Sequence, residues 1–325
     1  MDPSDFFTAS RVLIVAGKGG VGKTTVAASL GLAASRIGTD TLLVEVEGKR
    51  GLGSMFADDD RASAESASDL AYVESVIRPA DPESGRGALR ARTISAKEAL
   101  LDYLDENGLR GFGRNLTRLQ VLDTLAGSTP GLKDLIVLGK IKQLEVARDA
   151  DLIIIDAPAS GHALSFLRAA HGLQQTVDTG PIARQADEVV DLLTDPSRTS
   201  VVLVTLAEET PVNELVETAY ALEDEIGVRL GPAVVNSLFA DRDLDPTPDE
   251  TKQSGRAGEF DAAAQFWETQ VHGQRFQVSR LASELPLEQI ELPRKLVTRL
   301  GASDLEDLAS AALDQISGLR FETQQ

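Results

Sequence analysis

A glycine-rich segment between an apolar run and a helical pattern is the feature that most constrains this chain. Residues 11–16 (RVLIVA) are continuously apolar, which is typical of a strand buried on both faces of a parallel sheet. Residues 17–25 (GKGGVGKTT) follow at once, and residues 24–37 then carry apolar side chains at helical spacing. The pattern therefore predicts a strand, a tight loop at its carboxyl end, and a helix.

The loop has the residue types that bind a phosphate chain. It fits the pattern G-x-x-x-x-G-K-[ST], in which glycines let successive backbone N–H groups point inward. The helix N-terminus adds a partial positive charge. We expect Lys23 to reach the β- and γ-phosphates of a nucleotide and the Thr24 hydroxyl to ligate Mg²⁺. The predicted binding residues are Gly17, Lys18, Gly19, Gly20, Val21, Gly22, Lys23, Thr24 and Thr25.

Further apolar runs that alternate with helical stretches predict the fold class. Such alternation indicates an α/β fold with a doubly wound, mostly parallel sheet flanked by helices. The remaining strands are predicted over residues 41–46, 151–155, 200–206 and 231–235. The remaining helices are predicted over residues 97–104, 116–125, 132–146 and 303–316.

The chain length of 325 residues is compatible with one large domain. We predict a single domain over residues 1–325, with helical insertions at about 88–148 and 165–197. Three segments without helical or strand periodicity, rich in polar residues, small residues or prolines, predict mobile loops or linkers. These segments are residues 57–69, 80–87 and 241–258.

Composition excludes several classes of site and partner. The chain has no cysteine, which excludes disulfides, thiolate zinc sites, iron–sulfur clusters and a cysteine-ligated metalloid site. A net charge of −19 argues against nucleic-acid binding, which depends on basic patches. No apolar run approaches the ~18–20 residues of a membrane span, and residues 1–10 lack the pattern of a signal peptide. We therefore expect a cytoplasmic protein.

Asp156 ends the apolar run 151–155, the position of a Walker B carboxylate that holds Mg²⁺ through a water molecule.

Two motifs then indicate a family resemblance. Lys18, the second residue of the loop, makes it a deviant Walker motif. Residues 156–164 (DAPASGHAL) resemble the switch signature of ArsA and the tail-anchored-protein-targeting ATPases, which belong to the SIMIBI class of P-loop NTPases. The resemblance extends from residue 11 to about residue 292.

One departure from the family pattern is informative. Residues 44–51 (VEVEGKRG) stand where the larger ArsA-type ATPases have D-P-A-H, and they resemble the short actinobacterial ArsA-like proteins described as anion-transporting ATPases. The resemblance implies that Glu45 is an outer carboxylate of the Mg²⁺ site and that Glu47 orients the attacking water. Glutamate is longer than the usual aspartate, and a misplacement of ~1 Å can cost ~100-fold in rate. We therefore expect slow or partner-dependent hydrolysis.

The resemblance also implies roles for residues elsewhere in the site. Lys18 would act like an arginine finger on the nucleotide of a dimer partner. Asn236 would read the adenine edge, and Pro286 would belong to a loop that covers the base. The segment after Asp156, including His162, would sense the γ-phosphate and reposition the helical subdomain.

Three functions remain open at this point. The leading one is a dimeric switch that binds ATP or ADP with Mg²⁺, hydrolyses ATP and engages a protein or membrane partner. It would be a homodimer or a heterodimer with a paralogous subunit; its catalytic residues would be Lys18, Lys23 and Glu47. The second is a regulatory nucleotide-binding subunit with little hydrolysis of its own. The third, a ParA/MinD-type positioning ATPase, predicts a basic face or basic C-terminal helix, which the acidic balance disfavours.

Overall fold

The predicted strands lie side by side in one sheet. The computed structural model describes residues 1–46, 52, 55–56, 74–106, 131–158, 162–241 and 257–320. Within these residues the strands are β1 Val12–Gly17, β2 Thr41–Val46, β3 Ser75–Arg78, β4 Leu89–Ile94, β5 Leu152–Asp156, β6 Thr199–Leu206, β7 Ala233–Leu238 and β8 Gln289–Pro293. They form an eight-stranded sheet in the order β3-β4-β2-β5-β1-β6-β7-β8. Only the pairing of β3 with β4 is antiparallel.

Helices cover both faces of the sheet. Those in the described residues are α1 Pro3–Thr8, α2 Lys23–Arg36, α3 Ala96–Glu106, α4 Leu132–Ala147, α5 His162–Thr176, α6 Pro181–Thr194, α7 Glu209–Ile226, α8 Ala257–Glu284 and α9 Ala302–Gly318. The predicted fold class is confirmed, since this is a mostly parallel sheet flanked by helices. The helix predicted over 116–125 lies outside the described residues. No helix in the described part of the chain combines the length and apolar character of a membrane span.

The continuous apolar runs arise because both faces of the sheet are buried. Side chains of a strand alternate between faces. In β1, Val12 and Ile14 belong to the core under α4, α5, α6 and α7, whereas Leu13 and Val15 belong to the core under α2 and α9. A strand with two buried faces shows no polar alternation, so the run RVLIVA is the expected sequence for this central position.

The first helix within the predicted insertion of about 88–148 is α3, which begins at Ala96. Residues 89–94, which the predicted insertion of about 88–148 includes, form β4 within the sheet. Helix α4 contacts α3, α5 and α6, and α5 also contacts α6 and α7. The four helices α3 to α6 therefore form a connected layer above one face of the sheet.

The segment predicted as a mobile loop over residues 80–87 is a hydrogen-bonded turn instead. Asp81 and Arg86 exchange backbone hydrogen bonds of 2.8 and 3.0 Å between β3 and β4. The Asp81 carboxylate also accepts a 2.7 Å hydrogen bond from the Ser84 hydroxyl and pairs with the Arg86 guanidinium. These local side-chain contacts satisfy the polar groups of the turn, which is why its polar composition does not imply mobility.

Candidate functional site

The glycine-rich loop lies where the strand order reverses. Strand β1 pairs with β5 on one side and β6 on the other, and chain connections leave in opposite directions from this point. Such a reversal opens a crevice at the carboxyl edge of a parallel sheet. Gly17 has φ +146°, and a Cβ atom there would lie 2.3 Å from the Val204 carbonyl oxygen in β6. Only glycine therefore fits at the point where the loop leaves β1.

Lys23 folds back over the loop from the first residue of α2. Its side chain is buried, and Nζ donates a 2.8 Å hydrogen bond to the Lys18 carbonyl oxygen. Burying an ammonium group is unfavourable unless polar groups surround it. Gly19 and Gly20, in contrast, are exposed. The ammonium group is thus held beside the loop backbone, at the position where the sequence predicts phosphate oxygens.

Thr24 and Asp156 meet at the carboxyl ends of β1 and β5. The Thr24 hydroxyl donates a 2.6 Å hydrogen bond to the Asp156 carboxylate, which is fully buried. Glu45 on β2 is also buried, and it is the register partner of Asp156. Register partners on neighbouring parallel strands point to the same face about 4.8 Å apart. Three oxygen-bearing side chains therefore share one edge of the sheet.

This set of side chains fits a magnesium ion. Carboxylate and hydroxyl oxygens are the protein ligands that Mg²⁺ prefers, and the ion commonly takes one or two of them and keeps several waters. The hydroxyl of Thr24 and the carboxylate of Asp156 already lie within direct contact of each other. A single ion could therefore engage both groups without a rearrangement of the backbone.

Asn236 supports the loop from β7, two strands away from β1. Its side-chain Nδ2 donates a 2.9 Å hydrogen bond to the Val21 carbonyl oxygen. Gly22 has φ +91°, and a Cβ atom there would lie 2.2 Å from the same Nδ2 atom. The sequence predicted Asn236 just after its strand, whereas it lies inside β7 and contacts the loop backbone.

The structure does not bring Pro286 to this site. Pro286 is exposed and precedes β8, and the adjacent Glu288 carbonyl oxygen accepts a hydrogen bond from the Ala233 N–H at the start of β7. Because β7 and β8 are parallel, this places Pro286 at the amino edge of the sheet. The glycine-rich loop lies at the carboxyl edge, so the prediction that Pro286 covers the base does not fit its position.

Two residues that the sequence did not single out, Phe239 and Arg294, lie at the carboxyl ends of β7 and β8. Arg294 follows β8, its N–H donates a 2.7 Å hydrogen bond to the Leu238 carbonyl oxygen, and its guanidinium lies 4.9 Å from the Phe239 ring centroid. Phe239 also packs edge-on against Trp267 of α8, at 4.7 Å between centroids. The alternation of apolar and polar residues over QIELP was the signal for β8.

Other predicted residues occupy different surroundings. Lys18 forms an ion pair with Glu214 on α7. His162 begins α5, directly after the segment that follows Asp156. Glu47 lies outside the described residues, as do residues 159–161.

Comparison with known proteins agrees with this geometry. Residues 10–181, just over half of the chain, match the family described as Anion-transporting ATPase. The chain belongs to this family. The resemblance inferred from Lys18 and residues 156–164 is thereby confirmed.

The named relatives are longer than the regions that match this chain. The chain is 34% identical over 233 residues to ATPase BagA of Mycobacterium tuberculosis, a match that covers 70% of this chain and 64% of the relative. It is 29% identical over 169 residues to ATPase GET3B of Arabidopsis thaliana, which covers 49% of this chain and 40% of the relative. It is 25% identical over 260 residues to the arsenical pump-driving ATPase of Acidiphilium multivorum, which covers 72% and 40%. The chain thus spans less than two thirds of each relative.

Proposed function

We propose that this chain is an ATPase that binds Mg·ATP at residues 17–25 and couples hydrolysis to a conformational switch. The observation that carries the proposal is the 2.6 Å hydrogen bond between Thr24 and the buried Asp156, together with the Lys23 ammonium group held on the loop backbone. Phosphate loop, hydroxyl and strand-end carboxylate are the three parts that P-loop ATPases use to hold Mg²⁺ and phosphate. Membership of the anion-transporting ATPase family supports the same activity.

Each side chain has a distinct role in this proposal. Backbone N–H groups of the loop bind phosphate oxygens, and Lys23 balances the charge of the β- and γ-phosphates. Thr24 and Asp156 hold Mg²⁺, with Glu45 behind them. The bound ion supplies charge neutralisation at the phosphoryl oxygens. Glu47 orients the attacking water, and its length makes hydrolysis slow or dependent on a partner.

Base recognition is assigned to Asn236. A carboxamide carries two N–H donors and one acceptor oxygen, a combination that matches the adenine edge. One N–H of Asn236 donates to the Val21 carbonyl oxygen, which fixes the side chain beside the loop. The same residue would thus support the loop and select ATP or ADP over guanine nucleotides.

The switch is proposed to pass from Asp156 to the helical layer. The segment that follows Asp156 leads directly into α5, and α5 contacts α4, α6 and α7. A change at the γ-phosphate that moves this segment would therefore move several packed helices together. The helices of the proposed insertions at about 88–148 and 165–197 would engage a protein or membrane partner.

A dimer completes the proposed site. Lys18 of one subunit would contact nucleotide phosphates of the other, in a homodimer or in a heterodimer with a paralogous subunit. If the chain were instead a regulatory subunit, it would bind ATP but turn over only in the presence of the paralogue. Turnover of the purified chain alone and with the paralogue separates these two roles.

The phosphate site is tested with Lys23→Ala. A hydrogen bond to a charged group contributes about 1.5–3 kcal/mol, and each 1.4 kcal/mol changes Kd tenfold. We therefore expect Lys23→Ala to weaken Mg·ATP binding about 10- to 140-fold per lost bond in titration calorimetry. Lys142→Ala is the control, because Lys142 pairs with Glu188 in the helical layer. Wild-type affinity in a folded Lys23→Ala protein would contradict the assignment.

A further inference from the structure

Lys18 is held by a carboxylate of its own chain. Its Nζ atom contacts Oε1 of Glu214, which lies in the second turn of α7. The side chains are 48% and 28% exposed, so water and other charged groups can reach the pair. The contact joins the phosphate loop to the helix that follows β6, across 196 residues of sequence.

The pair also borders a cavity of about 220 Å³ where the phosphate loop, α5, β6 and α7 meet. The loop contributes Gly17 and Lys18, the first turn of α5 contributes Leu164, and α7 contributes Pro211 and Glu214. Helix α5 begins directly after the segment that follows Asp156. A displacement of α5 would therefore change the cavity that the Lys18–Glu214 pair borders.

The Lys18 side chain can turn without a change in the loop. The Lys18 carbonyl oxygen is held by the Lys23 ammonium group at 2.8 Å, so the backbone is anchored while the side chain remains about half exposed. An ammonium group bound to Glu214 lies against α7 and is not available to a phosphate of another molecule. The ion pair between Lys18 and Glu214 can therefore break without a change in the conformation of the loop backbone.

We propose that Glu214 is a positioning residue that holds Lys18 against its own chain until nucleotide-driven assembly opens the pair. This inference rests on the proposed role of Lys18 across a dimer. Exposed pairs are weak, and one pair changes an equilibrium by a factor of about 1.4 to 5. A contact of that strength lowers the association constant of the dimer without preventing assembly, because phosphates carry more charge than one carboxylate.

The matched variants are Glu214→Gln and Glu217→Gln. Glu217 is exposed, borders the same cavity and lies one helical turn further along α7. Both variants remove one negative charge at nearly the same place, but only Glu214→Gln removes the ion pair with Lys18. A difference between the two variants therefore reflects the loss of the Lys18–Glu214 ion pair and not the change in net charge.

The first measurement uses the nucleotide-free protein. An N-hydroxysuccinimide ester modifies accessible amines, and mass spectrometry gives the rate at Lys18. We expect Glu214→Gln to raise this rate about 1.4- to 5-fold over Glu217→Gln, the range for one opened pair. Equal rates would overturn the proposal, because Lys18 would then not be held by Glu214.

The second measurement is assembly with Mg²⁺ and a non-hydrolysable ATP analogue, followed by sedimentation velocity. Two pairs open in a symmetric dimer, so the association constant of Glu214→Gln should exceed that of Glu217→Gln about 2- to 30-fold. Equal assembly of the two variants, or no assembly of either, would overturn the proposal. If the wild-type protein does not bind nucleotide in a separate calorimetric measurement, the proposed function itself is refuted.

Discussion

Gly22 is the residue at which the loop, the helix and β7 meet, and Gly22→Ala is therefore the most informative substitution. Gly22 is the N-cap of α2 and adopts a left-handed conformation with φ +91°. An added Cβ atom would lie 2.2 Å from Nδ2 of Asn236, closer than any real contact of this kind. Asn236 would have to leave its hydrogen bond with the Val21 carbonyl oxygen.

Two costs follow from this geometry. A non-glycine residue in the left-handed region costs about 1–2 kcal/mol. Loss of the Asn236 hydrogen bond costs a further 0.5–1.5 kcal/mol, about the contribution of one such bond. We expect Gly22→Ala to lower the free energy of unfolding by about 1.5–3.5 kcal/mol. Gly20→Ala is the control, because Gly20 has φ +87° but nothing within 4 Å of an added Cβ atom, so only the conformational cost applies.

Urea unfolding of both variants measures the difference, and titration calorimetry with Mg·ATP measures its effect on binding. The double variant Gly22→Ala/Asn236→Ala adds a second comparison, since removing the carboxamide relieves the clash. Its destabilisation should be smaller than the sum of the two single variants. Equal stability of Gly22→Ala and Gly20→Ala, together with additive effects in the double variant, would refute the packing of Asn236 on Gly22.

Two further predictions concern the metal site and the helical layer. Asp156→Asn keeps an acceptor oxygen for Thr24 but removes the negative charge. The affinity for ATP in the presence of Mg²⁺ should therefore fall about tenfold or more, while the affinity in EDTA is unchanged. Calorimetry that finds the same Mg²⁺ dependence as in wild type would contradict this prediction. Burial, with a smaller effect of the Asp102 charge, raises the pKa of Glu98 from 4.5 to about 7. The folded state then binds this proton more tightly than the unfolded state, so stability should fall as the pH rises from about 4.5 to about 7. Glu98→Gln should flatten that decline in urea titrations, and an unchanged slope would count against the assignment.

Several elements that the sequence did not predict lack a clear local pattern of apolar residues. Strand β3 is an edge strand and β4 is its neighbour, and β4 carries two arginines in LRARTI, so it lacks the continuous apolar run of a central strand. Helix α8 has 28 residues, yet among its described side chains only Leu281 is buried. A helix with so narrow a contact stripe has almost no apolar periodicity to detect.

The sequence by itself determined the phosphate loop, the central strands and the carboxylate at Asp156. Each of these depends on neighbours within a few residues: an apolar run, glycines at set positions and a strand end. Only the tertiary structure decided what these residues contact. Asn236 reaches the loop across 215 residues, and Lys18 meets Glu214 across 196. Pro286 falls at the opposite edge because it precedes β8, and the direction of a strand sets which edge the segments at its two ends occupy.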